Sequence, residues 1–76
     1  MDKQTTTVEL QNILTQRELQ IIKLICQDLS YQEIAESLNL SKRTISFHIS
    51  NMLRKTGHRS IVGLAVEAVH QRIADL

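Results

Sequence analysis

The residues that could do chemistry in this sequence are concentrated between positions 38 and 55, and they suit recognition rather than catalysis. This stretch has basic side chains near both ends, no acid, and the chain's one phenylalanine, Phe47, set among serines. Basic side chains attract phosphate groups, and hydroxyl groups or an apolar ring can meet base edges in the DNA major groove. A solvated basic face and a stray exposed aromatic are the alternatives, so the direction in which Phe47 points becomes the deciding question.

A helix over residues 42–56 would point Phe47 away from the core of its own domain. At about 100° per residue, one side of this helix collects the apolar side chains Ile45, Ile49, Met52 and Leu53, with His48 at its edge. The opposite side carries Arg43, Ser46, Phe47, Ser50 and Arg54, with Lys42 and Asn51 on its flanks. In a DNA groove, Phe47 could touch thymine methyl groups, and Ser46 and Ser50 could meet base edges or phosphates. The cations Lys42, Arg43, Arg54 and Lys55 would bind the phosphate backbone.

The charge of the chain is unevenly distributed, although its net value is only +1. Residues 1–36 contain six acids and three bases, whereas residues 37–66 contain five bases and no acid. The net charge alone says nothing about a nucleic-acid partner, but this local basic segment is consistent with one.

Two capping boxes predict where the first two helices begin. Thr15 and Glu18 form one box, and Ser30 and Glu33 form the other, because each hydroxyl can accept from the amide three residues on while the glutamate reaches back. The first helix is expected to end at about Asp28.

Further start and stop signals complete a predicted all-α fold of four helices. Asn39 can adopt the left-handed conformation that ends the second helix, and Ser41 can cap a third helix that stops at Gly57. A fourth helix is expected from after Ser60 to about Ala74. The very short connection between the second and third helices is typical of a helix-turn-helix.

The composition supports helices and one small domain. The 76 residues include no proline and two glycines, and no long alternation of β-branched residues occurs. We expect residues 1–13 to be a flexible lead-in and residues 14–76 to form the domain, which leaves no room for a receiver or ligand-sensing domain. No apolar run is long enough to span a membrane, and no signal peptide is evident.

The sequence contains no pattern that favours an enzyme, a metal site or a cofactor. Cys26 is the only cysteine and lies in an apolar run, so it is interpreted as a core residue of a cytoplasmic protein. His48 is interpreted as a partly buried structural residue, since His58 and His70 lie on other segments. We therefore predict no catalytic residue, no metal and no cofactor.

The fourth predicted helix is more apolar than the core of one domain requires. Ile61, Leu64, Ala65 and Ala68 can close the core, and a second stripe remains, formed by Val62, Val66, Val69 and Ile73. A second copy of the chain is the simplest cover for that stripe, which predicts a homodimer. Docking onto a neighbouring domain is the alternative.

Residues 14–57 closely resemble the LuxR-type (LuxR/FixJ/GerE-like) helix-turn-helix domain of bacterial response and quorum-sensing regulators. The matching residues are Leu14-Thr15-x-Arg17-Glu18, Ser30-x-x-Glu33-Ile34-Ala35, Leu38, Ser41-x-x-Thr44-Ile45-x-x-His48 and Lys55-x-Gly57. One departure is Asp28, which stands where the family usually has glycine, so we expect a less tightly left-handed turn there.

The resemblance implies a dimeric, sequence-specific regulator of transcription that acts on the nucleoid. The third helix would enter the major groove of double-stranded DNA with two half-sites, and Thr44 would join the phosphate contacts. The fourth helix would form the homodimer. If the sequence is a fragment, a receiver or sensor domain would be a further partner. The alternative is a protein-interaction module that uses the same fold.

Overall fold

The computed structural model describes residues 9–75, and within that range it contains five helices and no strand. They are α1 (Leu10–Ile13), α2 (Gln16–Cys26), α3 (Tyr31–Leu38), α4 (Lys42–Thr56) and α5 (Ile61–His70). Helices α2 to α5 correspond to the four predicted helices, so the predicted all-α fold is confirmed. Helix α1 is an additional turn.

Both predicted capping boxes are present at the starts of α2 and α3. The Thr15 hydroxyl accepts from the Glu18 amide at 3.1 Å, and the Glu18 carboxylate accepts from the Thr15 amide at 2.8 Å. Ser30 and Glu33 repeat the same pair of bonds at 3.1 and 2.8 Å. Each box satisfies two backbone amides that the start of the helix would otherwise leave without a partner.

A three-residue turn joins α3 to α4 and sets the angle between them. Asn39 is left-handed, with φ 58° and ψ 44°, and the next amide, that of Leu40, donates to the Ala35 carbonyl at 2.8 Å. The Ser41 hydroxyl then accepts from the Thr44 amide at 3.0 Å and starts α4. Ala35 is buried, and its small side chain lets the two helices approach closely.

The hydrophobic core lies where α2, α3, α4 and α5 meet. Its largest fully buried side chains are Leu10, Ile21, Ile22, Ile34, Ile45, Met52 and Leu64. The predicted core side of α4 is confirmed, since Ile45, Ile49 and Met52 are buried and Leu53 packs against them. Leu64 and Ala68 close the core from α5, as expected.

Helix α1 lies inside the stretch that was expected to be a flexible lead-in, and residues 10–13 correct that expectation. Leu10 is only 1% exposed and belongs to the core. Its amide donates to the side-chain carbonyl of Gln71 at 2.7 Å. The packed part of the chain therefore starts before Leu14, while residues 1–8 lie outside the described residues.

Helix α5 is shorter than predicted, because it ends at His70 and not near Ala74. Arg72 is left-handed, with φ 60°, and the amides of Ile73 and Ala74 both return to the Ala68 carbonyl, at 2.9 and 3.4 Å. The reversal buries Ala74 and packs Ile73 against the core. The burial of Ile73 and Ala74 against the core takes the place of further helical turns, although no glycine marks the end of the helix.

The turn after α2 also differs from expectation. Asp28 has φ 68°, so the turn is fully left-handed, whereas we expected it to be less tightly so. A short polar side chain tolerates this conformation better than most, and the Leu29 amide closes the turn on the Leu24 carbonyl at 3.3 Å. Cys26, just before this turn, is buried in the core as predicted. Burial raises the pKa of its thiol.

Candidate nucleic-acid interface

The outward face of α4 is polar except for one aromatic ring. Ser46 and Ser50 are exposed, and Phe47 between them is 65% exposed. The prediction that Phe47 points away from the core is confirmed. The Phe47 ring rests edge-on against the half-buried ring of His48, with the two centroids 6.3 Å apart and the planes at 63°.

Cations flank this face at both ends of α4. Lys42 and Arg43 are exposed in the first turn. Arg54 is exposed in the last turn, where its guanidinium donates to the side-chain oxygen of Asn51 at 2.8 Å. These three cations can reach phosphates on either side of a groove.

Thr44 lies in the first turn of α4, at the edge of the exposed face. It is half-buried, and its hydroxyl shares a hydrogen bond of 2.9 Å with the hydroxyl of Ser41. Its side chain thereby reinforces the cap of α4 at the edge where Lys42 and Arg43 stand.

Lys55 forms an ion pair with a buried carboxylate of the domain, which sets it apart from the other predicted phosphate contacts. Its ammonium lies 2.5 Å from the carboxylate of Glu18, whose side chain is only 5% exposed. The same carboxylate also caps α2, so Lys55 fastens the end of α4 to the start of α2. This ion pair gives Lys55 a structural role within the domain.

The pKa of Glu18 reflects these contacts. Burial by itself raises the pKa of this carboxyl, but hydrogen bonds from Lys55 and the Thr15 amide, with the charge of Lys55, outweigh burial and lower it. A carboxyl whose pKa is lower in the folded state stabilises the fold above its unfolded pKa. That stabilisation is lost as the pH falls through the folded value.

Glu18→Gln should therefore cost the most stability at neutral pH and progressively less as the pH falls below about 4.5, the usual value for this group. The measurement is urea unfolding of both proteins between pH 7 and pH 3. Exposed Glu36→Gln is the control and should show little difference at any pH. A Glu18→Gln deficit that stays constant down to pH 3 would contradict the assignment.

The predicted dimer stripe is only partly formed on α5. Val62 is 68% exposed and Val66 is 50% exposed, so these two side chains lie in solvent as expected. Val69 and Ile73 instead pack against the core, and Ile73 lies beyond the end of the helix. The most exposed apolar surface of α5 is therefore a patch centred on Val62 and Val66, while Val69 and Ile73 are partly buried.

A chain of polar contacts that the sequence did not predict joins the two ends of the described region. His58, after α4, lies 2.5 Å from the carboxylate of Glu67, whose other oxygen accepts from Gln71 at 2.8 Å. Gln71 in turn accepts from the Leu10 amide. The spacing of four residues between Glu67 and Gln71 could have predicted their hydrogen bond. The His58–Glu67 and Leu10–Gln71 contacts span 9 and 61 positions, so no local sequence pattern predicts them.

Two features of residues 9–75 concern other kinds of site. No three His, Cys, Asp or Glu side chains gather there in a group that could hold a metal ion. None of the helices in this range is long and apolar enough to cross a bilayer.

The short α3–α4 turn and the exposed, cation-flanked face of α4 define a helix-turn-helix domain. A family model described as bacterial regulatory proteins, luxR family, matches residues 12–68. The chain therefore belongs to the luxR family of bacterial regulatory proteins, in agreement with the resemblance seen in its sequence.

Individual relatives agree with this assignment. The chain is 41% identical over 61 residues to the nitrate/nitrite response regulator protein NarP of Escherichia coli, covering 80% of the chain and 28% of NarP. It is 40% identical over 62 residues to NarL of the same organism, covering 82% of the chain and 29% of NarL. It is 42% identical over 45 residues to the spore germination protein GerE of Bacillus subtilis, covering 59% of the chain and 61% of GerE. The chain thus spans less than a third of NarP and NarL.

Proposed function

We propose that this domain binds double-stranded DNA as a dimeric regulator of transcription, with α4 in the major groove. The observation that carries the proposal is the exposed face of α4, where Phe47 and two serines stand between cationic ends. The 15-residue helix is about 22 Å long, and a major groove about 12 Å wide admits a helix.

The two kinds of side chain on α4 suit two kinds of contact. Ser46, Phe47 and Ser50 would meet base edges, because they lie at the middle of the face. Lys42, Arg43, Thr44 and Arg54 would meet phosphates on either side and set the register of the helix. Lys55 would act indirectly, by holding the end of α4 on Glu18.

The charges at the start of α4 support an anionic partner independently. The N-terminal end of a helix carries partial positive charge, so acids usually stabilise the first turn and bases oppose it. The first turn of α4 has no acid and begins with Lys42 and Arg43. These cations therefore cost some helix stability in the isolated domain. A phosphate placed there would interact favourably with the cations and with the helix end.

The exposed patch on α5 supports the dimer. Val62 and Val66 are one helical turn apart and would be covered by the same residues of a second copy across a two-fold axis. Two α4 helices held by such an axis would address two half-sites about one helical turn of DNA apart.

The proposal also concerns the longer protein in which this domain would act. NarP and NarL are named response regulators, and this chain spans 28% and 29% of them. In a longer protein of that kind, the domain would be the output end that a receiver or sensor domain controls. It would act on the nucleoid in the cytoplasm.

Lys42→Ala and Arg54→Ala should each weaken binding to all DNA sequences about equally. Each should also flatten the slope of log affinity against log salt by about one unit, since each variant removes one phosphate contact. The measurement is a titration of duplex DNA at several salt concentrations. Lys23→Ala on α2 is the control, because it removes an exposed cation away from α4 and should leave the slope unchanged.

The salt series also separates DNA binding from the alternative of a protein-interaction module. An affinity that hardly changes with salt would point to the apolar contacts of a protein partner. A variant that changes sequence preference but not the slope would show that its side chain is not a phosphate contact.

A further inference from the structure

The middle of the outward face of α4 contains no charged side chain, and this limits which bases it can read. Residues 44–53 include neither Lys, Arg, Asp nor Glu. Guanine is most often read by Arg or Lys, and cytosine by Glu or Asp. Neither kind of readout is available at the centre of this helix.

Asn51 is the only amide in that stretch, and it has another partner. Asparagine can read adenine through two hydrogen bonds. The Asn51 side chain is half-buried, however, and its oxygen accepts from the Arg54 guanidinium at 2.8 Å. Ser46 and Ser50 remain, but a hydroxyl can pair with a donor or an acceptor and so discriminates weakly between bases.

Phe47 is therefore the side chain at the centre of the face with the most specific chemistry. The C5-methyl group of thymine is the apolar feature that bases present in the major groove, and an aromatic ring can contact it. The Phe47 ring lies edge-on to the ring of His48, with 6.3 Å between the centroids.

We propose, on the basis of the proposed DNA-binding function, that Phe47 is the specificity-determining residue and that it selects half-sites by thymine methyl groups. Positions 46 to 50 rise about 6 Å along α4, which corresponds to about two base-pair steps. Thymine is required within this central run. A guanine contact is confined to the flanks, within reach of Lys42, Arg43 or Arg54.

The test uses duplexes enriched from a random double-stranded library by the full chain. Each thymine of the enriched half-site is then replaced in turn by deoxyuridine, which lacks only the C5-methyl group. At one or two central positions the affinity should fall about fourfold per methyl, as expected for losing one buried apolar carbon. Elsewhere the replacement should have little effect.

Variants of the protein connect this loss to Phe47. Phe47→Ala should bind the thymine and deoxyuridine duplexes about equally, because the ring that senses the methyl is gone. Phe47→Leu should retain part of the difference. Ser50→Ala is the matched control on the same face and should keep the full difference. Circular dichroism should show all three variants folded, since both positions are exposed.

The possible failures are distinct. If Phe47→Ala still distinguishes thymine from deoxyuridine as the wild type does, another side chain reads the methyl and the inference is overturned. Enriched half-sites with guanine at the centre and no response to deoxyuridine would also overturn it. If no duplex is enriched at all, the proposed DNA-binding function fails, and this inference fails with it.

Discussion

Val66→Glu should leave the domain folded but monomeric, and it should strongly reduce affinity for a duplex with two half-sites. Val66 is half-exposed on α5, one turn after Val62, and no core contact depends on it. In the proposed two-fold dimer, the new carboxylate would face its own symmetry mate. Burying two unpaired like charges is costly, so association should be lost.

The loss of DNA affinity follows from the loss of the dimer. In a dimer, binding of one subunit to its half-site places the second subunit close to the other half-site. A monomer must lose its translational and rotational freedom separately at each half-site, so its overall affinity is lower. The mass should be measured by analytical ultracentrifugation, the fold by circular dichroism, and the binding on duplexes with one and with two half-sites. Affinity for the single half-site should change little.

Gln20→Glu is the control for the added charge. Gln20 is exposed on α2, where it borders a groove with Ser37 and Leu38 of α3, so this variant should remain dimeric. A Val66→Glu protein that stays dimeric would move the interface off the patch on α5. If the wild type is monomeric even on a duplex with two half-sites, the patch on α5 binds a partner other than a second copy.

Ile45→Ala should be the most destabilising of the substitutions on α4. Ile45 is fully buried where α4 packs on α3, and removing a buried isoleucine side chain to alanine typically costs about 2–5 kcal/mol. A 76-residue domain has a total stability of about 4–11 kcal/mol, so this variant should lose a large fraction of it.

Phe47→Ala provides the matched comparison for that stability measurement. It removes a larger side chain only two positions away, but one that is mostly exposed, so it should change the free energy of unfolding by no more than about 0.5 kcal/mol. Both values come from urea unfolding monitored by circular dichroism. A greater loss for Phe47→Ala than for Ile45→Ala would mean that α4 is rotated from the orientation described.

Much of this fold could be predicted from the sequence because its helices have local start signals. Thr15, Ser30, Ser41 and Ser60 each cap the helix that follows, and each acts on an amide three residues away. The outward direction of Phe47 was equally accessible, since it follows from helical periodicity once the boundaries of α4 are known.

The features that were missed depend on distant residues or on unusual backbone conformations. Helix α1 has no side-chain cap at Glu9, and its Leu10 amide is satisfied by Gln71 from the other end of the chain. The stop of α5 uses a left-handed Arg72, a conformation that arginine rarely adopts. The ion pair of Lys55 was also missed, because its partner, Glu18, lies 37 positions away.

The separation of α4 into a buried side and a solvent side has an evolutionary consequence. Because Ser46, Phe47 and Ser50 support no part of the core, replacing them costs little folding free energy. Under the proposed function, a lineage could therefore explore new operators by mutating these positions one at a time without first acquiring a compensating stabiliser. The cations at the two ends of the helix would retain general DNA affinity during such a change, so intermediates between two specificities would still occupy the chromosome.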